Sequence, residues 1–164
     1  MKKGLVLFTL IVLLIIFSAP AMAFEIVSTE NTLVKYGVGF EMCGFLSTGV
    51  SGTFNISEQF AAQGIIGTPS EFISFSGVKL MYRFAKGEGQ NYFLFGTGGA
   101  LSGSTTYMGT KDTGTGWAVG IGMEYSPDIF PDNLRYSTEI GYAETTLADF
   151  PTFLYYNFGF RIYF

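Results

Sequence analysis

Seven ionisable residues share the polar parity of extended segments: Lys35, Glu41, Lys79, Arg83, Glu124, Glu139 and Arg161, four cations and three anions. Glu124 with Glu139 has the composition of an acid–base pair, but guanidinium groups beside them hold both as carboxylates, which opposes the acid role. There is no histidine in the chain, so the commonest catalytic base is missing. The serines have no evident activating partner. Cys43 is the single cysteine, which rules out an internal disulfide. Zinc, Walker and calcium-loop spacings are all lacking, and the glycine-rich GTGGALSG of residues 96–103 continues a strand rather than opening a helix. The residues therefore imply no enzyme, no metal and no cofactor. The chemistry open to the seven is mutual: a salt-bridged plug, with Arg83 and Arg161 bracketing Glu124 and Glu139. By strand direction most of them fall toward the end bearing the termini, with Glu41 near the opposite end. Structural pairing is the commoner fate of such a set. The functional variant is a gate, in which exchanged pairs open a narrow ion path.

The elements that must position these charges alternate with a period of two, the strand period. In the last ten residues Tyr156, Phe158, Phe160, Ile162 and Phe164 take one parity, and Tyr155, Asn157, Gly159, Arg161 and Tyr163 the other. The same split recurs in LVKYGVGFEM, with Val34, Tyr36, Val38, Phe40 and Met42 against Lys35, Gly37, Gly39 and Glu41. It appears again in TGVSGTFNI, in FISFSGVKLMYRF, in WAVGIGMEY and in RYSTEIGYAETTL. FAAQGIIG is a third strand of weaker pattern, and YFLFGTGGALSG a fifth whose facing the pattern leaves open. These make eight strands. Turns are read at SEQ, GTPSE, AKGEGQ, SPDIFPDNL and ADFPT, and TTYMGTKDTGTG, without a period, reads as a mobile loop.

Composition says which parity faces what. Hydrophobic residues make up 48% and charged residues 13% of 164, too little charge for the surface of a secreted soluble domain. Residues 1–23 read as a Sec-type signal peptide: Lys2 and Lys3, an apolar run from Leu5 to Phe17, and Ala21 and Ala23 at the cleavage spacing. Removing it leaves seven basic against thirteen acidic side chains, net −6, which argues against nucleic acid as a partner. Beyond residue 23 no apolar run is long enough for a membrane helix.

A terminal Phe164 behind alternating apolar residues resembles the C-terminal signal of bacterial outer-membrane β-barrels, and SGTFNISEQFAAQGIIG resembles the opening of the small OmpA/OmpX-type barrels. The resemblance implies an all-β fold, an eight-stranded antiparallel up-and-down transmembrane β-barrel over residues 24–164. Both termini would lie in the periplasm, and lipid and the barrel-assembly machinery, which reads residues 156–164, would be the partners. A monomer is the default. The resemblance says nothing of activity. A structural or surface-interaction role leads, exercised by the outer loops, chiefly 105–116. A narrow channel or carrier for ions or small apolar molecules is the alternative. Ile73, Phe75 and Tyr155, inward near the outer loops, could line an apolar pocket or form an apolar plug. Trp117, Tyr82, Phe84, Tyr125, Tyr136 and Phe164 would form interfacial girdles. A soluble six-stranded, lipocalin-like barrel is the other architecture.

Overall fold

The computed structural model describes residues 36–43, 47–67, 73–87, 89–105, 110–126, 133–147 and 151–164. The signal-peptide reading and Lys35 lie outside the described residues. Eight strands form: β1 Tyr36–Cys43, β2 Ser47–Asn55, β3 Phe60–Gly67, β4 Ile73–Gly87, β5 Gln90–Thr105, β6 Thr110–Tyr125, β7 Leu134–Thr145 and β8 Thr152–Tyr163. Each pairs antiparallel with its sequence neighbours, and β1 pairs with β8, closing the barrel. Closure leaves no sheet edge along the shared height of the wall.

The stagger of the sheet follows from its registers. Partners lead from Tyr36 through Phe54, Ala62, Leu80, Gly96, Val119 and Tyr142 to Leu154. Leu154 lies four residues before Phe158, the partner of Met42, and is thus level with residue 46, ten beyond the start. At roughly 3.3 Å per residue and 4.8 Å between strands, that stagger tilts the strands by about 40°. Each residue then climbs about 2.5 Å along the barrel axis, and each step to the next partner about 3 Å.

On this scale the outward apolar residues span from Phe164, roughly 3 Å below Tyr36, to Leu154, roughly 22 Å above it. Near the lower limit outward aromatics pair across strands: Tyr36 with Phe54, Phe60 with Tyr82, and Tyr136 with Phe160. Near the upper limit Trp117 packs on Tyr142. β2 and β3 are short, whereas β5 and β6 run on as a two-stranded ribbon to the pair Thr105–Thr110.

Three sequence expectations change. Residues 110–116 of the expected mobile loop belong to β6 and pair with residues 99–105 of β5. Their glycines and threonines show no apolar alternation, since the residues set against the buried Leu101 and Leu147 are Gly114 and Gly116, yet backbone pairing needs no such alternation. The turn at AKGEGQ is narrower, since β4 runs to Gly87 and β5 begins at Gln90, with Gly89 at a φ of 67° between them. The facing of β5 is settled: Phe93, Phe95, Thr97 and Leu101 are buried, while Leu94 is exposed.

Candidate functional site

The interior below mid-height is ionic. Inward parity on β1, β4, β6, β7 and β8 delivers Glu41, Lys79, Arg83, Glu124, Glu139 and Arg161, all buried. The stagger sorts them into two ranks. Glu41, Lys79 and Glu139 lie at roughly 12 Å above Tyr36, and Arg83, Glu124 and Arg161 at roughly 2–4 Å. In the upper rank Lys79 Nζ donates to both oxygens of Glu139, at 2.8 and 2.7 Å, and lies 3.8 Å from Glu41 Oε2. In the lower rank Arg83 Nε donates to Glu124 Oε2 at 3.0 Å, and Arg161 Nη1 to Glu124 Oε1 at 2.7 Å. Arg161 joins the ranks: its Nε reaches Glu41 Oε1 at 3.1 Å and its Nη2 reaches Glu139 Oε1 at 3.4 Å.

Neutral groups complete the network. Asn157 Nδ2 donates to Glu41 at 2.5 Å and to Glu139 at 3.2 Å, and Gln63 Nε2 donates to Glu41 at 2.6 Å. The hydroxyls of Tyr155 and Tyr163 donate to Glu139 and Glu124. Arg83 Nη1 donates to Asn55 Oδ1 and to the Glu58 carbonyl. Three cations thus meet three carboxylates, and the buried charge of this network cancels. Buried ions need such pairing, because desolvation costs several kcal/mol per ion. Small inward residues make the room: a Cβ on Gly159 would sit 2.6 Å from Ser137 Oγ and 2.8 Å from Glu41 Oε2.

The sequence reading places these residues with two differences. Glu41 is not apart at the outer end but in the upper rank, because the stagger lifts β4 and β7 residues to its level. Of the two carboxylates Arg83 engages Glu124 and not Glu139, and Glu139 is held chiefly by Lys79, not bracketed by two arginines. Gln63, Asn157 and Tyr163 were not singled out. The polar parity of β8 carried the signal for Asn157 and Tyr163, while the weak pattern of β3 hid Gln63.

Apolar side chains fill the interior between and above the ions. Tyr155 stacks on Phe95, their centroids 5.2 Å apart, in a cluster with Phe93, Met81, Ala118 and Ala143. Phe75 packs instead against Leu101 and Leu147. The two thus belong to separate apolar clusters among the described residues. The side chain of Ile73 lies outside the described residues. Tyr156, Phe158, Phe160, Ile162 and Phe164 all face outward along β8. Each lumen carboxylate of the network is engaged by at least two donors, so none is poised as a free general base.

No protein-family model matches the chain, and no curated protein matches it. Among solved structures, the crystal structure of the N-terminal β-barrel domain of Pseudomonas aeruginosa OprF is similar. The TM-score is 0.59 at 12% sequence identity, over 79% of this chain and 96% of that one. At that identity the likeness is one of fold: this chain has the eight-stranded barrel fold of the OprF domain, the architecture implied by the OmpA/OmpX resemblance.

Proposed function

We propose that this protein is an integral barrel of the bacterial outer membrane, closed to solutes at rest, with a structural or surface-interaction role in the cell envelope. The observation that carries the reading is an inside-out distribution. Phe158, Phe160 and Ile162 are 50%, 44% and 48% exposed, while Arg161 and Glu124 beside them are 1% exposed. A water-soluble domain buries the first kind of residue and exposes the second. The outward apolar band, about 25 Å tall, fits the hydrocarbon-facing belt of such barrels. The start of β1 at Tyr36 and the last residue, Phe164, lie at the aromatic-rich lower rim, which is the periplasmic side in this orientation. The β5–β6 ribbon then projects from the cell surface and is the part placed to meet partners. The protein works as a monomer, and residues 156–164 address it to the barrel-assembly machinery.

Two experiments test this. The protein should fractionate with outer membranes, and an unheated sample should migrate differently from a boiled one on a detergent gel; a soluble periplasmic protein would sink the reading. A cysteine at Thr113 should react with an impermeant thiol reagent on intact cells, and one at Asn133 only after permeabilisation. The second reading, a narrow ion path, is favoured by one feature: Lys79 stands between two carboxylates, 2.7 Å from Glu139 and 3.8 Å from Glu41, so a small movement exchanges its partner. Planar bilayers separate the readings. Silence in the wild type and in Glu124→Gln removes the channel, whereas unitary conductance altered by that substitution establishes it.

A further inference from the structure

The ionic network balances itself, but among the described residues the mouth of the lumen beside Tyr36 and Phe164 does not. Arg135 follows the inward parity of Ser137 and Glu139 on β7 and is half-buried. Its partner on β8 is Arg161, so two like charges face each other across the ladder, an unfavourable pairing. Arg161 is turned upward onto Glu41, Glu124 and Glu139. Arg135 has neither a hydrogen bond nor an ion pair among the described residues. The nearest inward carboxylate along the strands, Glu124, is already held by Arg83, Arg161 and Tyr163.

Two further donors lie at this level. Arg83 and Arg135 lie at roughly 2 and 1 Å on the axial scale, and Asn91 at roughly 0 Å. β4 and β7 stand three strands apart in a ring of eight, so their inward side chains approach the axis from well-separated walls. Arg83 spends Nε on Glu124 and Nη1 on Asn55 and Glu58; its Nη2 has no acceptor among the described residues. Asn91, partner of Glu124 on β5, points inward, is half-buried, and its amide has no partner among the described residues.

We propose that this mouth is an anion site, in which Arg135, Arg83 Nη2 and the Asn91 amide hold one phosphate-type oxyanion. Donors carried on β4 and β5 at one side of the ring and on β7 at another suit a tetrahedral group, and guanidinium is the side chain that binds such oxygens in pairs. Free phosphate and the phosphate of a lipid headgroup at the same rim present the same chemistry. The site needs only the folded barrel, so it stands or falls independently of the envelope role.

The test titrates inorganic phosphate into the purified barrel in non-ionic detergent at constant ionic strength, read by calorimetry and by the NMR signals of the arginine Nε–H groups. Saturable binding is expected, weakened at least about tenfold in Arg135→Gln and less in Asn91→Ala. Lys111→Gln, on the β5–β6 ribbon at the opposite end of the barrel, should leave it unchanged. Heat-dependent gel migration verifies that each variant is folded. In phosphatidylglycerol nanodiscs, a phosphate response suppressed about tenfold identifies the headgroup as the source, and an unchanged one identifies free phosphate; both uphold the site. Absence of a saturable response up to about 50 mM phosphate, or equal affinity in wild type and Arg135→Gln, overturns it.

Discussion

Replacing Arg161 with methionine separates a balanced ionic core from a collection of independent pairs. Arg161 is 1% exposed and donates to Glu41, Glu124 and Glu139. Methionine fills much of the same volume without the charge, leaving three buried carboxylates with two cations. Breaking one buried pair costs about 3–5 kcal/mol, because the abandoned charge stays desolvated, so Arg161→Met should lose at least that much. The structure also says how to restore the balance. Removing Glu41 as well, in Arg161→Met/Glu41→Gln, leaves Lys79 with Glu139 at 2.7 Å and Arg83 with Glu124 at 3.0 Å, two intact pairs. The double variant should therefore be more stable than the sum of the single effects predicts, with a coupling of about 1.5–3 kcal/mol. The assay is urea unfolding in lipid vesicles, followed by the fluorescence of Trp117, the single tryptophan, and by gel migration, with unchanged m-values required. A cost below about 1 kcal/mol for the single variant, or strict additivity in the double, would refute the reasoning.

The lipid-facing assignment predicts that Ile140→Arg, near the middle of the outward band and 51% exposed, costs about 2–4 kcal/mol in bilayers. Thr113→Arg, on the ribbon above the band, should change vesicle unfolding by less than about 0.5 kcal/mol. Two glycines with opposite surroundings should respond oppositely: Gly159→Val drives a side chain into Glu41 and Ser137 and should cost about 1–3 kcal/mol, whereas a Cβ on Gly64 meets nothing within 4 Å and Gly64→Ala should be neutral or slightly stabilising in the same assay. Truncating Phe164 should slow assembly into the outer membrane in cells far more than it lowers the unfolding midpoint in vitro, which membrane fractionation of pulse-labelled cells measures.

Side-chain parity was legible without coordinates. A period of two is a property of the local chain, so Phe158 and Arg161 had to face opposite ways wherever β8 lay, and the terminal aromatics and scarce charges pointed to an apolar exterior. The eight strands were legible where one face is apolar, and failed at residues 110–116, where Thr and Gly carry no alternation to read. Which charges meet was decided elsewhere. Glu41, Lys79 and Glu139 come from three strands and share a level only because the closed sheet is staggered by ten residues, a quantity summed over all eight registers and written in no single segment. The same stagger sets Arg161 in the lower rank, within reach of the upper, and Arg135 beyond them at the mouth. Local sequence determines which side of the wall a residue faces; closure of the barrel determines its height, and height chooses its partners.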